Sequence, residues 1–345
     1  MKDVPVTTTR RLLLAALLLL APAAGPAAHA EGATADLRPL ARRLADEVVG
    51  VAYRDFAAAA RRNAAAWASE CGAAKPSRDG LAAHHLAVAR AWWRVEPVRF
   101  GPVAEDFRAE RIDFWPERRN ATARGLAELL DPAAPEPTAD TLRSGSAAVQ
   151  GLPAEERLLF DGHGGLGRRD CAVGRAISAN LAAMAGDIEE GWRGVGTRAG
   201  ADEAFARELV TRLVTDALTG FTTLIDVKLA ALGRTAAAAR PEALEGRRAG
   251  AEREALLAPL EGMADLVAVL VDGREEGATV VATLDTARSV AAGLPARIGP
   301  LLADPRERSR VVLLRDALRS AQDAAIADLP ALVGTTVGFN SRDGD

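Results

Sequence analysis

Charged side chains beside aromatic residues are the positions of this sequence best suited to chemistry. They are Glu96, Arg99, Arg111, Asp113 and Glu156, and the aromatic residues among them are Trp92, Trp93, Phe100 and Trp115. Burying a charge beside an aromatic ring is costly unless the charge is paired. Such a cluster is typical of a ligand pocket. The same residues could equally form a buried salt-bridge network that locks the loop after Gly101-Pro102, and both interpretations stay open.

The histidines supply no recognisable catalytic or zinc motif. His84 and His85 are adjacent, so on a helix they point about 100° apart and do not both face one metal ion. The sequence contains no His-Glu-x-x-His and no Gly-x-Ser-x-Gly motif. We therefore predict no catalytic residues. We expect His84 and His85 at the surface or at an interface, with a metal role as the alternative.

Two other segments offer ligand atoms without matching a known motif. Residues 161–167 form a glycine-rich stretch with His163 inside it, but no Gly-Lys-Ser/Thr follows and no strand precedes it. We interpret this stretch as a flexible connection. Near the C terminus, Asn340, Asp343 and Asp345 carry oxygens that could hold a cation such as calcium, although their spacing is not that of an EF-hand. Capping or docking of the tail is the favoured interpretation.

The two cysteines, Cys71 and Cys171, are best interpreted as one disulfide. An isolated pair in an oxidising compartment is typically bonded. The alternative is a pair of metal-binding thiolates, but a structural zinc site usually has four closely spaced ligands and no Cys-x-x-Cys occurs here.

The N terminus has the three parts of a secretory signal peptide. Lys2, Arg10 and Arg11 give a positive start, 12–21 is an unbroken apolar run, and 28–30 is a small-x-small exit. We predict cleavage after residue 30 and a periplasmic or cell-envelope location. A membrane anchor is the alternative, but a span needs roughly 20 apolar residues.

Composition is that of an ordinary globular protein. The chain of 345 residues is 49% hydrophobic and 26% charged, and its net charge is −4. Nucleic-acid binding needs a basic surface, so the charge argues against a nucleic-acid partner. A second long apolar run is missing, so we predict no transmembrane segment in the mature chain.

Helical periodicity runs through nearly the whole mature chain, and alternation of the strand type is missing. Three apolar stripes step by three or four residues: 205, 209, 213, 217, 221 and 224; 256, 260, 263, 267 and 270; and 311, 314, 318, 321 and 325. The sequence therefore predicts an all-α, two-lobe helical bundle. A proline-rich link at 131–137 separates two helices, and the weak point at 194–201 divides lobes at 31–196 and 201–345.

Five segments, in family order, resemble the imelysin family of bacterial envelope proteins, also called imelysin-like peptidases. They are Ala91-Trp92-Trp93-Arg94 with 96–102, Arg111-Ile112-Asp113-Phe114-Trp115-Pro116, the stretch 151–160, the stretch 171–182 and the C-terminal 337–345. The resemblance implies a two-lobe helical fold, residence in the envelope, a link to iron uptake, a metal site and a peptidase label.

The family signature, Gly-x-His-x-x-Glu, is only partly present. Gly151 and Glu156 match it, but Pro153 stands where the histidine is expected. Histidine and glutamate three residues apart share one helix face and could bind one metal ion. Proline has no ligand atom and either kinks a helix or starts one. The departure argues against both metal binding at this motif and metalloprotease chemistry.

These observations predict a non-enzymatic periplasmic binding protein whose ligand is a metal ion, a metal complex or a small anion held near Glu156. The sequence identifies no cofactor. The class that the resemblance implies is a divalent metal or iron. The alternatives are a metallopeptidase and an envelope interaction protein with a protein partner and no small ligand. We further expect Glu156 to face inward and to pair with Arg99 or Arg111, since an unpaired buried charge costs several kcal/mol.

Overall fold

The computed structural model describes residues 36–162 and 164–334, and all regular structure within them is helical. This confirms the predicted all-α class. The predicted leader (1–30), His163 and the C-terminal Asn340, Asp343 and Asp345 lie outside the described residues.

The described chain contains α-helices of very unequal length. They are α1 (Arg38–Arg43), α2 (Gly50–Glu70), α3 (Asp79–Val95), α4 (Arg108–Ile112), α5 (Ala121–Leu130), α6 (Ala139–Arg143), α7 (Leu152–Phe160), α8 (Arg168–Trp192), α9 (Val195–Ala201), α10 (Glu203–Thr222), α11 (Glu252–Val271), α12 (Ala278–Ala292), α13 (Gly299–Ala303) and α14 (Arg308–Val333). None of them is both long enough and apolar enough to cross a membrane.

Two π-helical turns adjoin the longer helices. Leu44–Val49 joins α1 to α2 without a break, and Thr223–Val227 follows α10. The second turn continues into a 3-10 segment, Lys228–Leu232. Lys228 therefore lies at a change of helix type, and its side chain is buried.

In the first half of the chain, α2 packs against both α3 and α8. Gly174 of α8 allows the close approach of α2, because a Cβ at this position would lie 2.1 Å from the Trp67 ring. The predicted disulfide is present here. It joins Cys71, at the end of α2, to Cys171 in the first turn of α8, with their Cα atoms 5.6 Å apart.

The second half packs α10, α11 and α12 with α14, and α11 also contacts α3. The predicted stripes of α11 and α14 are buried along their full length, and that of α10 is buried from Leu209 onward. Phe205, the first residue of the α10 stripe, is only partly buried, and the Arg198 guanidinium lies 3.9 Å from its ring centroid.

Both predicted connections lie between helices. Residues 131–137 link α5 to α6, and 161–167 link α7 to α8. The predicted weak point at 194–201 begins with Gly194 in the left-handed region (φ +80°), but the residues after it form α9. The division of the chain into two lobes at this point stays a prediction.

Candidate functional site

The partly matching family motif forms the beginning of α7. Gly151 is the N-cap residue, and a Cβ there would lie 2.0 Å from the Ile112 carbonyl oxygen, so only glycine fits. Pro153 lies in the first turn, where a missing N–H costs no helical hydrogen bond. The sequence predicted that this proline either kinks a helix or starts one. In the structure it lies at the start of a helix.

Glu155 is the centre of a buried polar network that the sequence did not reveal. Its side chain is fully buried and accepts hydrogen bonds from Asn63 Nδ2 at 2.7 Å and from Trp67 Nε1. Its second oxygen lies 3.0 Å from His85 Nδ1. Three helices, α2, α3 and α7, are thus joined through one carboxylate.

His85 is buried, which corrects the expectation of a surface or interface histidine; His84, its neighbour on α3, is exposed. Burial alone would lower the pKa of His85. The hydrogen bond and charge of Glu155, with Glu156 and Asp113 adding to them, raise this pKa above its ordinary value instead.

Glu156 turns away from this network and lines a cavity of about 170 Å³. Its side chain is buried, as predicted, with 9% exposed. One carboxylate oxygen accepts the Ala249 N–H at 3.1 Å. Within the described chain, no basic side chain lies within 4.0 Å of this carboxylate, so the expected pairing with Arg99 or Arg111 is wrong.

The cavity lies between α3, α7, residues 115–117 and the segment 242–248 that precedes α11. His85 and the indoles of Trp93 and Trp115 form part of its wall. Its other lining residues are Ala89, Pro116, Glu117, Leu152, Pro153, Arg157, Glu242, Ala243, Leu244, Glu245, Gly246 and Arg248. The motif position occupied by proline and the motif glutamate therefore face the same space.

A second buried cluster surrounds Lys228. Its ammonium lies 2.8 Å from Glu96, contacts Glu245, and stands 5.5 Å from the centroid of the Trp115 ring. Trp93 Nε1 donates to Glu245 at 2.9 Å. We call Glu96, Asp113, Lys228 and Glu245 the lysine cluster.

Burial sets the protonation of the lysine cluster. It raises the pKa of Glu245 well above its ordinary value, against the opposing pull of Lys228, and it raises the pKa of Asp113, with Glu96 adding to the shift. Burial would lower the pKa of Lys228, but Glu245, Glu96 and Asp113 outweigh it and raise that pKa. The lysine therefore stays charged, and the carboxyl groups of Asp113 and Glu245 keep their protons to a higher pH than usual.

Most of the polar residues singled out in the sequence meet at this cluster. Arg99 pairs with Glu96 at 3.0 Å, and Trp92 Nε1 donates to Asp113 at 2.9 Å. The salt-bridge interpretation therefore describes Glu96 and Arg99, whereas Asp113 accepts a hydrogen bond from an indole. Trp115 belongs to both arrangements, because it contacts Lys228 and lines the cavity.

Arg111 lies apart from the cluster and the cavity. Its guanidinium donates to Gln150 Oε1 at 2.8 Å and to the carbonyls of Asp106 and Arg143. One acceptor is a side-chain amide and the other two are backbone carbonyls. Arg111 therefore fixes the chain around the start of α7 and does not bind the Glu156 carboxylate.

Sequence reasoning missed Glu155, His85, Lys228 and Glu245. A signal existed for Glu155, which lies three residues after Leu152 and four before Leu159 and thus on the same buried helix face. Lys228 and Glu245 lie more than 100 residues from Glu96 along the chain, in segments without a recognisable motif. Only the fold brings them together.

The side chains present do not fit the metal site that the family resemblance implies. Pro153 has no donor atom, and His85 Nδ1 is already bonded to Glu155. In the lysine cluster, the Lys228 ammonium occupies the position between carboxylates that a cation would take. No group of three His, Cys, Asp or Glu with the arrangement of a metal site is found in 36–162 and 164–334.

Comparison with known proteins gives a consistent family and fold. The family model described as Imelysin matches residues 51–325. The crystal structure of an imelysin-like protein from Psychrobacter arcticum 273-4 is similar, with a TM-score of 0.74 and 23% sequence identity. The alignment covers 88% of this chain and 97% of that one. A search of curated proteins found no match.

Proposed function

Because the chain belongs to the imelysin family, we propose that it is a non-enzymatic ligand-binding protein of the bacterial envelope, and that its ligand occupies the cavity beside Glu156. One observation carries this proposal. The motif glutamate is a buried carboxylate that faces an internal space, with a single backbone N–H as its hydrogen-bond donor and no ion pair within the described residues. A buried charge in this state is stabilised when a ligand supplies the missing partner.

The donor set argues against the competing metallopeptidase. A catalytic zinc normally takes three protein ligands and an activated water. At this motif only the glutamate offers a ligand atom, since proline replaces the histidine, and the nearby His85 is engaged with Glu155. We therefore expect no peptidase activity.

The envelope location and the link to metal handling do not depend on the cavity beside Glu156. The location follows from the predicted leader, and the connection to iron uptake follows from the family resemblance. Both stay predictions, as does a protein partner in the envelope.

The binding proposal is tested on protein purified from its native envelope. Native mass spectrometry and elemental analysis should show a bound species in the wild-type protein that is lost in Glu156→Gln. The variant should unfold within about 1 kcal/mol of the wild type, because no protein ion pair is broken. A wild-type protein that carries no adduct and takes up no small ligand in a Glu156-dependent way would contradict the proposal.

The enzymatic alternative is tested in the same preparation. With zinc or iron supplied, a general protein substrate should stay intact. Cleavage that a chelator stops and that Glu156→Gln abolishes would establish the metallopeptidase instead.

A further inference from the structure

We propose that the cavity beside Glu156 selects a small organic cation, an ammonium or guanidinium group carried on a short apolar body. This inference rests on the proposed binding function and names its ligand class. It differs from the metal ion, metal complex or anion that the sequence suggested.

The charges around the cavity leave one buried group without a counter-charge. Arg157 pairs with Glu117 at 2.7 Å, and Arg248 pairs with Asp161 at 2.8 Å. Both guanidinium groups of the wall are therefore neutralised by protein carboxylates. Glu156 has no such partner among the described residues.

The other acids of the wall do not change this result. Glu245 is bound to the ammonium of Lys228, and Glu242 is exposed, so water solvates its charge. Another buried carboxyl group is that of Glu252, whose pKa is raised mainly by burial; Arg297 and Arg247 oppose this shift, and the charge of Glu156 adds to it. Glu156 is therefore the buried carboxylate of the wall that has no cationic partner within the described residues.

The remaining surfaces suit a cation with an apolar body. The cavity is walled by the indoles of Trp93 and Trp115 and by the side chain of Leu152. Indole rings attract cations through their π faces and also cover methylene groups. A cavity of about 150 Å³ holds a molecule of benzene's size, so the volume of about 170 Å³ limits the ligand to a few carbon atoms.

The alternatives lack complementary groups. A bare metal ion would find the Glu156 carboxylate but not the further ligands that a stable site needs. An anion would approach two arginines whose donors already face carboxylates, and it would be repelled by Glu156. An organic cation needs only one carboxylate and an aromatic surface, which Glu156, Trp93 and Trp115 supply.

The test compares four probes: three four-carbon molecules that differ in charge, and one metal ion. They are n-butylammonium, n-butanol, butyrate and zinc ion, each titrated into the full mature chain by calorimetry at low ionic strength. Butylammonium should bind about tenfold or more tightly than butanol, since the two differ mainly by the charge-assisted hydrogen bond. Butyrate and zinc should bind more weakly than butylammonium.

Variants test whether the preference for butylammonium over butanol depends on Glu156. Glu156→Gln should remove the preference for butylammonium, and Glu156→Asp, which keeps the charge, should retain part of it. Glu128→Gln is the matched control, because Glu128 is an exposed carboxylate on α5 and does not line the cavity. Circular dichroism verifies that each variant is folded.

The outcomes separate this inference from the proposed function. Glu156-dependent binding of butyrate or zinc in place of butylammonium would overturn the organic-cation inference and leave the binding function standing. If no probe binds in a Glu156-dependent way, the inference fails. If the native preparation also carries no Glu156-dependent adduct, the proposed function fails with it.

Discussion

Glu155 and Glu156 show how two adjacent carboxylates on one helix serve different purposes. Successive residues of a helix point about 100° apart. Glu155 therefore turns inward, to Asn63, Trp67 and His85, while Glu156 turns to the cavity. The family-like motif identified the second of these residues and gave no indication of the first.

Removing the Glu155 carboxylate should be among the most destabilising single changes in this chain. We expect Glu155→Ala to lower the free energy of unfolding by about 3–5 kcal/mol, because three buried donors lose their acceptor at once. Glu155→Gln keeps an acceptor oxygen and should cost less, about 1–3 kcal/mol. Urea denaturation measures both. A loss below about 1 kcal/mol in the alanine variant would show that the network contributes little.

The same network gives stability a pH dependence through His85. Its folded-state pKa is raised, so near neutral pH the folded protein binds more protons at this site than the unfolded chain does. Its stabilising contribution is therefore fully present below about pH 6.5 and is lost as pH rises through the raised pKa. Glu155→Gln should remove this part of the slope; an unchanged slope would point to other groups.

At the scale of elements, the salt bridges of the lysine cluster join three separate parts of the chain. Glu96 follows the end of α3, Lys228 follows the π turn after α10, and Glu245 lies in the irregular segment before α11. The salt bridges among them are buried. Removing one partner of such a pair leaves a buried charge without that partner and lowers the free energy of unfolding.

A double-mutant cycle tests this dependence. Lys228→Met should lower the free energy of unfolding by about 3–5 kcal/mol, since the buried carboxylates of Glu245 and Glu96 lose a cation and only Glu96 keeps another, Arg99. Adding Glu96→Gln to this variant should recover part of the loss, because one of those charges is removed as well. Denaturant unfolding of the two single variants and the double variant measures the coupling. Losses that simply add would contradict a cooperative cluster.

The elements themselves were largely predictable, and the contacts between their ends were not. The spacing of Leu256, Leu260 and Met263 predicts a buried helix face, and the structure has it. Helical periodicity carries this information locally. The pairing of Glu96 with Lys228 and the packing of Ala249 on Glu156 depend on how distant helices are placed, and no local pattern contains that placement.

On the scale of the whole molecule, the disulfide closes a sequence separation of 100 residues. Cys71 and Cys171 were predicted to pair from their number and compartment alone, and the structure confirms the bond. A loop of this length should restrict the unfolded chain by about 4.7 kcal/mol in the chain-entropy treatment.

Reduction should therefore weaken the protein without changing its fold. We expect the Cys71→Ser, Cys171→Ser variant to unfold at a lower urea concentration, with a loss of about 2–5 kcal/mol and a native helical circular dichroism spectrum. Free-thiol counting on the unreduced wild-type protein should find none. Two titratable thiols in freshly purified wild-type protein would contradict the bond.

The walls of the cavity come from distant parts of the chain, as the hydrogen bond between residues 156 and 249 illustrates. The cavity therefore exists only while both parts are folded together, and a ligand that fills it binds no unfolded chain. By mass action, a ligand at a hundred times its Kd would then add about 2.7 kcal/mol to the folded state. If the proposed ligand is bound, its supply would thus set the share of the protein that is folded and protected from proteolysis.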